Sequence, residues 1–257
     1  WLPLFHDMGI IGYHLLPMTL GAKQVWMHPR QFMKRPRLWL DMVHKHKGTC
    51  TASPNFGLSR VVEKVKPEDI KHLDLSHVHN LLNGAEPISA RIMESFLKLV
   101  GPIGFPRRAM SPGYGLAEGS LCISAKPIPE EPLVRWFDAE GLKSHGAIEE
   151  RPAGTKNARQ FVDVGTAIHG VEIRIVDDQD ELVATSAIGH IQIRGPNVTR
   201  GYYRAPEVTE ESKCGDWHRT GDLGLVIDNH LVITGRAKDI IFVRGQNFYA
   251  HDIEASL

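Results

Sequence analysis

The chain has 257 residues, 42% of them apolar, and its 30 Lys and Arg side chains are balanced by 30 Asp and Glu. This composition allows one large domain or two small ones, and it excludes a net field that would draw the protein to nucleic acid or an anionic membrane. The three cysteines lack metal-site or disulfide spacing, and no apolar run is long enough to span a bilayer. We therefore expect a cytoplasmic protein that binds any charged ligand locally.

The first half of the chain alternates short apolar runs with longer stretches of helical period, which is the pattern of an α/β layer. Strands are predicted over residues 23–27, 49–52 and 78–82, and helices over residues 36–46 and 55–65. Ser89 is placed to cap a further helix, whose apolar face would carry Ile92, Phe96 and Val100. The predicted order is therefore strand, helix, strand, helix.

The second half of the chain has a different pattern. Residues 126–159 mix proline, glycine and charge, which indicates a long insertion or connection. Beyond it polar and apolar residues alternate as in half-buried strands, and a hairpin over residues 223–234 is predicted to turn at Asp228 and Asn229. A strand over residues 240–244 and a helix from residue 247 onward are predicted to begin another lobe.

Two glycine-containing segments could carry chemistry. In SPGYGLAEG, glycines on both sides of Tyr114 let the backbone approach a ligand, the ring offers a face for stacking, and Glu118 could hold Mg²⁺ together with phosphate oxygens. In LNGAEP, a small-residue turn with Glu86 follows a strand, at a place where α/β sheets commonly bind ligands. Taken singly, each segment can also be an ordinary turn.

Three further segments combine charge with turn residues. WLPLFHDMGIIG places His6 beside Asp7, which fits either a capping pair or the wall of a substrate channel. TGDLG contains Asp222, whose carboxylate could accept hydrogen bonds from ribose hydroxyls, with an Asx-type turn as the alternative. The charged stretch that follows contains Arg236, and an arginine suits fixed contacts with phosphate.

The order of these segments resembles that of the core motifs of the acyl-activating, adenylate-forming superfamily: WLPLFHDMGIIG, NGAEP, YGLAEG, GHIQIRGPN, TGDLG and GRAKDIIFVRGQNFYAHDIE. Within that superfamily the chain is most similar to the fatty-acyl-AMP ligases. The similarity lies in HDMG, ASPNF, NGAEP, the alanine of YGLAE and the long stretch between Glu118 and Gly165. FVDVG, which ends at Gly165, differs from the cysteine-containing segment common in those ligases.

This resemblance implies an α/β fold class. The chain would hold part of the three-layer α/β large domain of an adenylate-forming enzyme, then a small β-rich subdomain of the distorted-barrel kind, then the start of a C-terminal lobe. The expected segments are the α/β subdomain of the AMP-binding domain, the family-type insertion or connection, the β-rich subdomain, and the hinge with the start of the C-terminal lobe: 1–125, 126–164, 165–237 and 238–257.

The resemblance also implies roles for individual residues. Tyr114 would stack on the adenine of ATP or AMP, Glu118 would help to hold Mg²⁺, and Asp222 would bind the ribose hydroxyls. Arg236 would assist at the ribose and phosphate, and His6 would border the acyl carboxylate. The other positions are those lining the nucleotide and acyl sites, a hinge lysine and a glycine in a loop that moves with the hinge: Asn83, Gly84, Ala85, Glu86, Gly115, Lys238 and Gly245.

The implied reaction joins a fatty carboxylate to the α-phosphate of ATP, releases pyrophosphate, and passes the acyl group to the phosphopantetheine thiol of an acyl carrier protein. Catalysis would rest on positioning and charge neutralisation. The family's phosphate loop and catalytic lysine are expected outside this chain, which looks like a central fragment and is predicted to be inactive alone. The alternatives are an acyl-CoA ligase, an amino-acid-activating domain, and a non-catalytic nucleotide- or acyl-binding module.

Overall fold

A computed structural model describes residues 1–139, 141–143, 148–243 and 246–249. The chain divides into two compact units. We call Trp1–Cys122 with Lys126–Pro132 the parallel-sheet unit, and Ile123–Ala125 with Leu133–Leu257 the antiparallel-sheet unit. The four segments expected from the sequence have other bounds and remain predictions.

The parallel-sheet unit is built on three short strands: β1 (Cys50–Ala52), β2 (Asn80–Asn83) and β3 (Met110–Tyr114). Both β1 with β2 and β2 with β3 pair in parallel. Six α-helices accompany them: α1 (Leu16–Thr19), α2 (Pro29–Lys34), α3 (Arg37–His46), α4 (Asn55–Lys64), α5 (Pro67–Ile70) and α6 (Ala90–Val100). A π-helix covers Met8–Leu15, and 3₁₀ turns cover Gly101–Ile103, Arg107–Ala109 and Ala117–Gly119.

Helices α4 and α6 form where the helical period is predicted, and their apolar faces enter the core. Leu58 and Val61 of α4, and Met93 and Phe96 of α6, are fully buried. Burying one such side chain contributes roughly 1.5–3 kcal/mol. The hydroxyl of Ser89 accepts a hydrogen bond from the backbone N–H of Ile92 at 3.3 Å, which confirms the predicted cap.

The strand predicted over residues 23–27 is wrong, because this stretch pairs with no strand in the described chain. The side chain of Gln24 binds His14 instead, through contacts of 3.1 Å to its ring nitrogen and 3.1 Å to its carbonyl oxygen. Val25 and Trp26 stay exposed, at 42% and 44%. An apolar run without a neighbouring strand to complete its ladder does not become a strand.

The antiparallel-sheet unit contains the remaining strands. They are β4 (Ser124–Ala125), β5 (Val134–Asp138), β6 (Ala158–Val162), β7 (Thr166–Ala167), β8 (Glu172–Val176), β9 (Gly189–Arg194), β10 (Lys213–Cys214), β11 (Trp217–Ile227), β12 (His230–Arg236), β13 (Ile240–Val243) and β14 (Gln246–Tyr249). The main sheet has the order β10, β11, β9, β8, with β12 also on β11. Short ladders join β4 to β7, β5 to β6 and β13 to β14. One helix, α7 (Pro206–Glu211), and 3₁₀ turns at Gly141–Lys143 and Ala237–Asp239 complete the described elements.

The predicted hairpin is confirmed. Strands β11 and β12 pair from Ile227 and His230 back to Asp222 and Arg236, and the two-residue turn between them consists of Asp228 and Asn229, with φ of 51° and 68°. Two positive φ values define a type I′ turn, whose twist matches that of antiparallel strands. The strand order of the sheets also confirms the predicted α/β class with a following β-rich part.

In the second half, one stretch forms strands that were not predicted, and one predicted helix is wrong. The stretch predicted as an insertion forms the hairpin of β5 and β6, with Phe137, Leu142 and Ile148 in a core cluster beside Leu225 and Val232. The helix predicted from residue 247 is wrong for residues 247–249, because they belong to β14. The rest of that predicted helix lies outside the described residues.

Among the described residues, no helix has the length and apolar character needed to cross a membrane.

Candidate functional site

The NGAEP turn and the end of β3 lie side by side at one end of the parallel sheet. Strand β2 ends at Asn83, and a Cβ atom added at Gly84 would lie 2.7 Å from the carbonyl oxygen of Gly113. Only glycine allows this approach of two backbones. The next residue, Ala85, holds a φ of 72°, which is strained for a residue with a side chain. The turn therefore has one determined shape.

Glu86 is held by the helix that follows β1. Its carboxylate accepts a hydrogen bond of 2.7 Å from the backbone N–H of Phe56, in the first turn of α4. The amide of Asn55 also donates to the carbonyl oxygen of Pro87 at 3.3 Å. A carboxylate at a helix N-terminus is favoured by the helix dipole and by the free N–H groups there. Glu86 thus fixes the NGAEP turn against the ASPNF segment.

Two buried amide oxygens in this region lack a protein partner among the described residues. Asn83 is fully buried and donates to the carbonyl oxygen of Ser53 at 2.9 Å, yet its Oδ1 atom accepts from no group there. The Oδ1 atom of Asn55 is in the same state. Because buried polar atoms are nearly always hydrogen-bonded, these oxygens are candidates to accept from a bound ligand.

Tyr114 and Glu118 lie on a tight connection after β3. A Cβ atom added at Gly115 would lie 1.6 Å from the carbonyl oxygen of Leu121, so the chain folds back on itself here. Glu118 is half-buried in the 3₁₀ turn Ala117–Gly119. The described residues contain no group of three or more His, Cys, Asp and Glu side chains that is arranged to hold a metal ion. One protein carboxylate at this position fits Mg²⁺ that takes its other ligands from nucleotide and water, as this ion usually does.

His6 and Asp7 cap the π-helix, which is the first of the two arrangements that the sequence left open. The carboxylate of Asp7 accepts from the backbone N–H of Met8 at 2.6 Å and contacts Nδ1 of His6 at 2.7 Å. π-Helical segments are rare and are often found at functional sites. The π-helix also carries Tyr13, whose hydroxyl donates to the carbonyl oxygen of Thr51 at 2.6 Å, and burial raises the pKa of this phenol.

Asp222 and Arg236 face each other across β11 and β12 in the antiparallel-sheet unit. Asp222 is buried, and Nε of Arg236 donates to its carboxylate at 2.9 Å. The side chain of Arg236 is 68% exposed, so its guanidinium is accessible to a ligand. The hydroxyl of Thr220 accepts from the backbone N–H of Asp222 at 3.1 Å. The turn predicted at TGDLG is wrong, because this segment lies inside β11 at a point where the register with β9 shifts. The structure thus brings this predicted pair together.

Lys238 is exposed in the 3₁₀ turn Ala237–Asp239, directly after β12. Gly245, the glycine of the predicted moving loop, lies outside the described residues. The predicted residues therefore form two groups, one in each unit. The first contains the π-helix cap, the NGAEP turn and the end of β3. The π-helix lies next to the NGAEP turn, because a Cβ atom at Gly84 would lie 3.9 Å from the Met8 side chain. The second contains Asp222 and Arg236, with Lys238 following in sequence.

Comparison with known proteins agrees with these motifs. The sequence pattern of the family described as AMP-binding enzyme matches residues 1–203, which is most of the chain. The chain belongs to the AMP-binding enzyme family. The family match covers the NGAEP and YGLAEG segments, whereas Asp222, Arg236 and Lys238 lie beyond its end.

Relatives of this AMP-binding chain carry several activities in their names. It is 34% identical over 99% of its length to a putative acyl-CoA synthetase of Caulobacter vibrioides, of which it covers 45%. It is 35% identical over its full length to a medium-chain-fatty-acid acyl-carrier-protein ligase of Teredinibacter turnerae, of which it covers 42%. The chain therefore spans less than half the length of these curated relatives.

A solved structure supports the fold. In work on fatty acyl-adenylate ligases from E. coli and L. pneumophila, one chain superimposes with a TM-score of 0.93 at 34% identity, covering 99% of this chain and 46% of that one. Sequence reasoning alone missed Ser53, Asn55 and Tyr13 as neighbours of the site. The ASPNF string held the signal for the first two, because polar residues directly after a buried strand face the ligand end of an α/β sheet.

Proposed function

We propose that the intact protein is an AMP-forming ligase that activates a fatty acid as acyl-adenylate and transfers the acyl group to an acyl carrier protein. The carboxylate oxygen of the acid attacks the α-phosphorus of ATP, and the bond to pyrophosphate breaks. The thiol of the carrier's phosphopantetheine then attacks the acyl carbon, and AMP leaves. Both steps conserve charge and atoms without an external oxidant or reductant.

The observation that carries this proposal is the shape of the open end of the parallel sheet. Close backbone approaches at Gly84 and Gly115 fix the turns that carry Tyr114 and follow the buried Asn83, and the side-chain oxygens of Asn83 and Asn55 accept from no protein group among the described residues. A flat aromatic ring and unsatisfied acceptors suit a purine, which offers a stacking face and an exocyclic amine donor.

Each residue has a role that follows from its place. Tyr114 stacks on adenine, the NGAEP turn lines the adenine and acyl sites, and Glu86 keeps that turn in shape through its bond to the backbone of α4. His6, held by Asp7, borders the acyl carboxylate. Mg²⁺, when bound near Glu118, neutralises charge on the phosphates.

In the antiparallel-sheet unit, the buried carboxylate of Asp222 accepts hydrogen bonds from the ribose hydroxyls, and the exposed guanidinium of Arg236 contacts ribose and phosphate. Lys238 acts as the hinge for a C-terminal lobe. These assignments match the positions of the motifs that this chain resembles.

The first test is fatty-acid-dependent exchange between ATP and labelled pyrophosphate in the intact protein, with dodecanoate as the acid. Asp222→Asn should weaken ATP binding by roughly 1–3 kcal/mol, because a buried acceptor of two hydroxyls is altered. Glu172→Gln is the matched control, since its ion pair with Arg194 lies in the same unit but is exposed. An unchanged ATP affinity in Asp222→Asn would remove Asp222 from the site.

The second candidate function is an acyl-CoA ligase, which the name of the Caulobacter vibrioides relative favours. The two differ only in the acceptor thiol. Incubation of the intact protein with ATP, dodecanoate and either coenzyme A or holo acyl carrier protein from E. coli separates them. Comparable thioester formation on free coenzyme A would contradict the carrier-protein proposal. The chain of 257 residues alone is expected to turn over little, because it spans less than half of its relatives' length.

A further inference from the structure

The ammonium group of Lys126 lies among backbone carbonyl oxygens of the parallel-sheet unit. This residue is 5% exposed. Its Nζ atom donates to the carbonyl oxygens of Arg108 at 3.2 Å, of Pro127 at 3.1 Å and of Glu130. A protonated lysine has three N–H donors and a neutral one has two, so three acceptors fit the charged form. All three partners are main-chain groups, and the side chain therefore fixes backbone positions.

Burial of this lysine has a cost in free energy. Lysine side chains are almost never fully buried without a partner. Burial lowers the pKa of Lys126, because an ammonium removed from water is disfavoured in its charged form, and the negative charges of Glu130 and Glu131 offset only part of this effect. An apolar side chain of similar length would avoid the cost, but it could not donate to the three carbonyl groups.

These carbonyl groups belong to two segments that meet just before β3. Arg108 lies in the 3₁₀ turn Arg107–Ala109, directly before the first residue of β3. Pro127 and Glu130 close a second turn, in which the backbone N–H of Glu130 donates to the carbonyl oxygen of Pro127 at 3.1 Å. The ammonium of Lys126 therefore fastens the second turn to the start of β3.

Lys126 also lies at the end of the segment that carries Tyr114. Its backbone N–H donates to the carbonyl oxygen of Pro112 at 3.0 Å, so the chain leaves β3, passes through Tyr114 and returns beside the same strand. In the returning part, the carbonyl oxygen of Leu121 lies against the backbone of Gly115. Because Gly115 directly follows Tyr114, a shift of the returning part reaches the tyrosine through this contact.

We propose that Lys126 is a positioning residue for the adenine of ATP: by fastening the returning chain to the start of β3, it holds Tyr114 where the purine stacks. This inference rests on the proposed function, in which Tyr114 stacks on adenine. Lys126 acts through the main chain and not by contact with the nucleotide. Loss of its ammonium therefore weakens the contact with adenine and leaves the binding of pyrophosphate and of the fatty acid unchanged.

Two variants and one matched control isolate the ammonium. Lys126→Met keeps an unbranched stem and removes all three donors. Lys126→Gln keeps two donors on a shorter stem, should show the same effect at smaller size, and replaces Lys126→Met if that variant does not fold. Glu131→Gln is the control, because the carboxylate of Glu131 lies 3.4 Å from Nε of Arg107 and joins the same two segments, but is 66% exposed. An exposed pair of this kind contributes little.

The assay is ATP–pyrophosphate exchange by the intact protein, with ATP, pyrophosphate and dodecanoate varied one at a time. We expect Lys126→Met to raise the KM for ATP roughly tenfold, because three buried acceptors lose their donors. The KM values for pyrophosphate and dodecanoate should stay within about twofold of the wild type, and Glu131→Gln should leave all three unchanged.

A double-mutant cycle tests whether the effect passes through the aromatic ring. In a Tyr114→Ala background there is no ring to position, so adding Lys126→Met should change the KM for ATP by less than about twofold. Amide hydrogen exchange over residues 110–122 provides a second measurement. It should be faster in Lys126→Met than in Glu131→Gln, because only the first variant releases the start of β3 from the second turn.

The outcomes separate this inference from the proposed function. An unchanged KM for ATP in Lys126→Met would overturn the inference. Equal increases in the KM values for ATP and pyrophosphate would also overturn it, as would a tenfold effect that persists without the ring of Tyr114, because each would mean general loosening. All three results leave exchange by the wild type intact. Absence of exchange in the wild type would instead reject the proposed function, and the role of Lys126 with it.

Discussion

The two units differ in the interactions that contribute most to holding their candidate site residues in place. In the parallel-sheet unit the NGAEP turn and the end of β3 are shaped by missing side chains, since Gly84 and Gly115 bring backbones together. In the antiparallel-sheet unit, ion pairs between side chains hold neighbouring strands together, as between Arg236 and Asp222 and between Arg135 and Asp163. The backbone contacts at Gly84 and Gly115 leave no room for an added side-chain atom, and this restriction does not depend on pH. The two ion pairs, in contrast, require that both partners keep their charge.

The largest effect that this contrast predicts is for Gly115→Ala. The added Cβ atom would meet a backbone carbonyl oxygen at 1.6 Å, and no side chain can move to relieve the clash. We expect a loss of more than about 5 kcal/mol in the free energy of unfolding, measured by urea denaturation, because the backbone itself must move. Gly101→Ala is the control, because nothing lies within 4 Å of its added Cβ atom. Equal stability of the two variants would contradict the steric account.

The next effect concerns the core beneath the β5–β6 hairpin. Phe137→Ala removes a fully buried ring from the cluster that includes Leu225 and Val232, and it should cost about 3–5 kcal/mol. Leu182→Ala, at a side chain that is 72% exposed, should change stability by less than about 0.5 kcal/mol. Thermal unfolding of both variants checks this. A small loss for Phe137→Ala would mean that the hairpin does not share the core.

A smaller effect is expected for the cap of α6. Ser89→Ala removes the acceptor for the N–H of Ile92 and should cost about 1 kcal/mol. Ser95→Ala on the same helix is the matched control, because its hydroxyl only donates back to the carbonyl oxygen of Arg91, and its loss should be neutral or slightly stabilising. Denaturant midpoints measured side by side decide the matter, and a larger loss for Ser95→Ala would reverse the assignment.

The smallest effect tests the ionic character of the antiparallel-sheet unit. The hydrogen bond from Arg219 lowers the pKa of Asp180 from 3.8 to about 2. A carboxyl whose pKa is lower in the folded state contributes stability above pH 4, and that contribution disappears as the pH falls toward 2. Asp180→Asn should therefore reduce stability at pH 7 by less than about 1 kcal/mol, because the pair is near the surface, and not at pH 2. Unfolding at both pH values measures this, and an equal loss at pH 2 would exclude the ionic explanation.

Local signals in the sequence were sufficient for much of the fold. The period of α4 and α6, the Ser89 cap and the turn at Asp228 and Asn229 all depend on residues close in sequence, and all are confirmed. The stretch 23–27 could not be assigned locally, because a strand needs a partner and its apolar content says nothing about whether one exists. The β5–β6 hairpin was missed for the opposite reason, since its strands lie within a stretch rich in proline, glycine and charge.

The candidate site was predictable to the extent that it is made of motifs. Tyr114, Glu118 and the NGAEP turn could be named from their strings, and Asp222 with Arg236 from a turn and a charged strand. What could not be named were contacts between distant residues, such as Glu86 with the backbone of Phe56, or Asp163 with Arg135 and His230. These residues are far apart in the sequence, so no helix or strand periodicity indicates that they are in contact.

The way the chain passes between its two units limits how the protein can be divided. The chain leaves the parallel-sheet unit after Cys122, returns at Lys126 and leaves again after Pro132. A fragment beginning at Leu133 would lose Ser124, whose hydroxyl donates to the carbonyl oxygen of Val164 at 3.0 Å, and with it the strand that pairs with β7. No single cleavage of the chain separates the two units intact. A chimaera with a related enzyme must therefore exchange both units together or join the two parent sequences at all three crossing points.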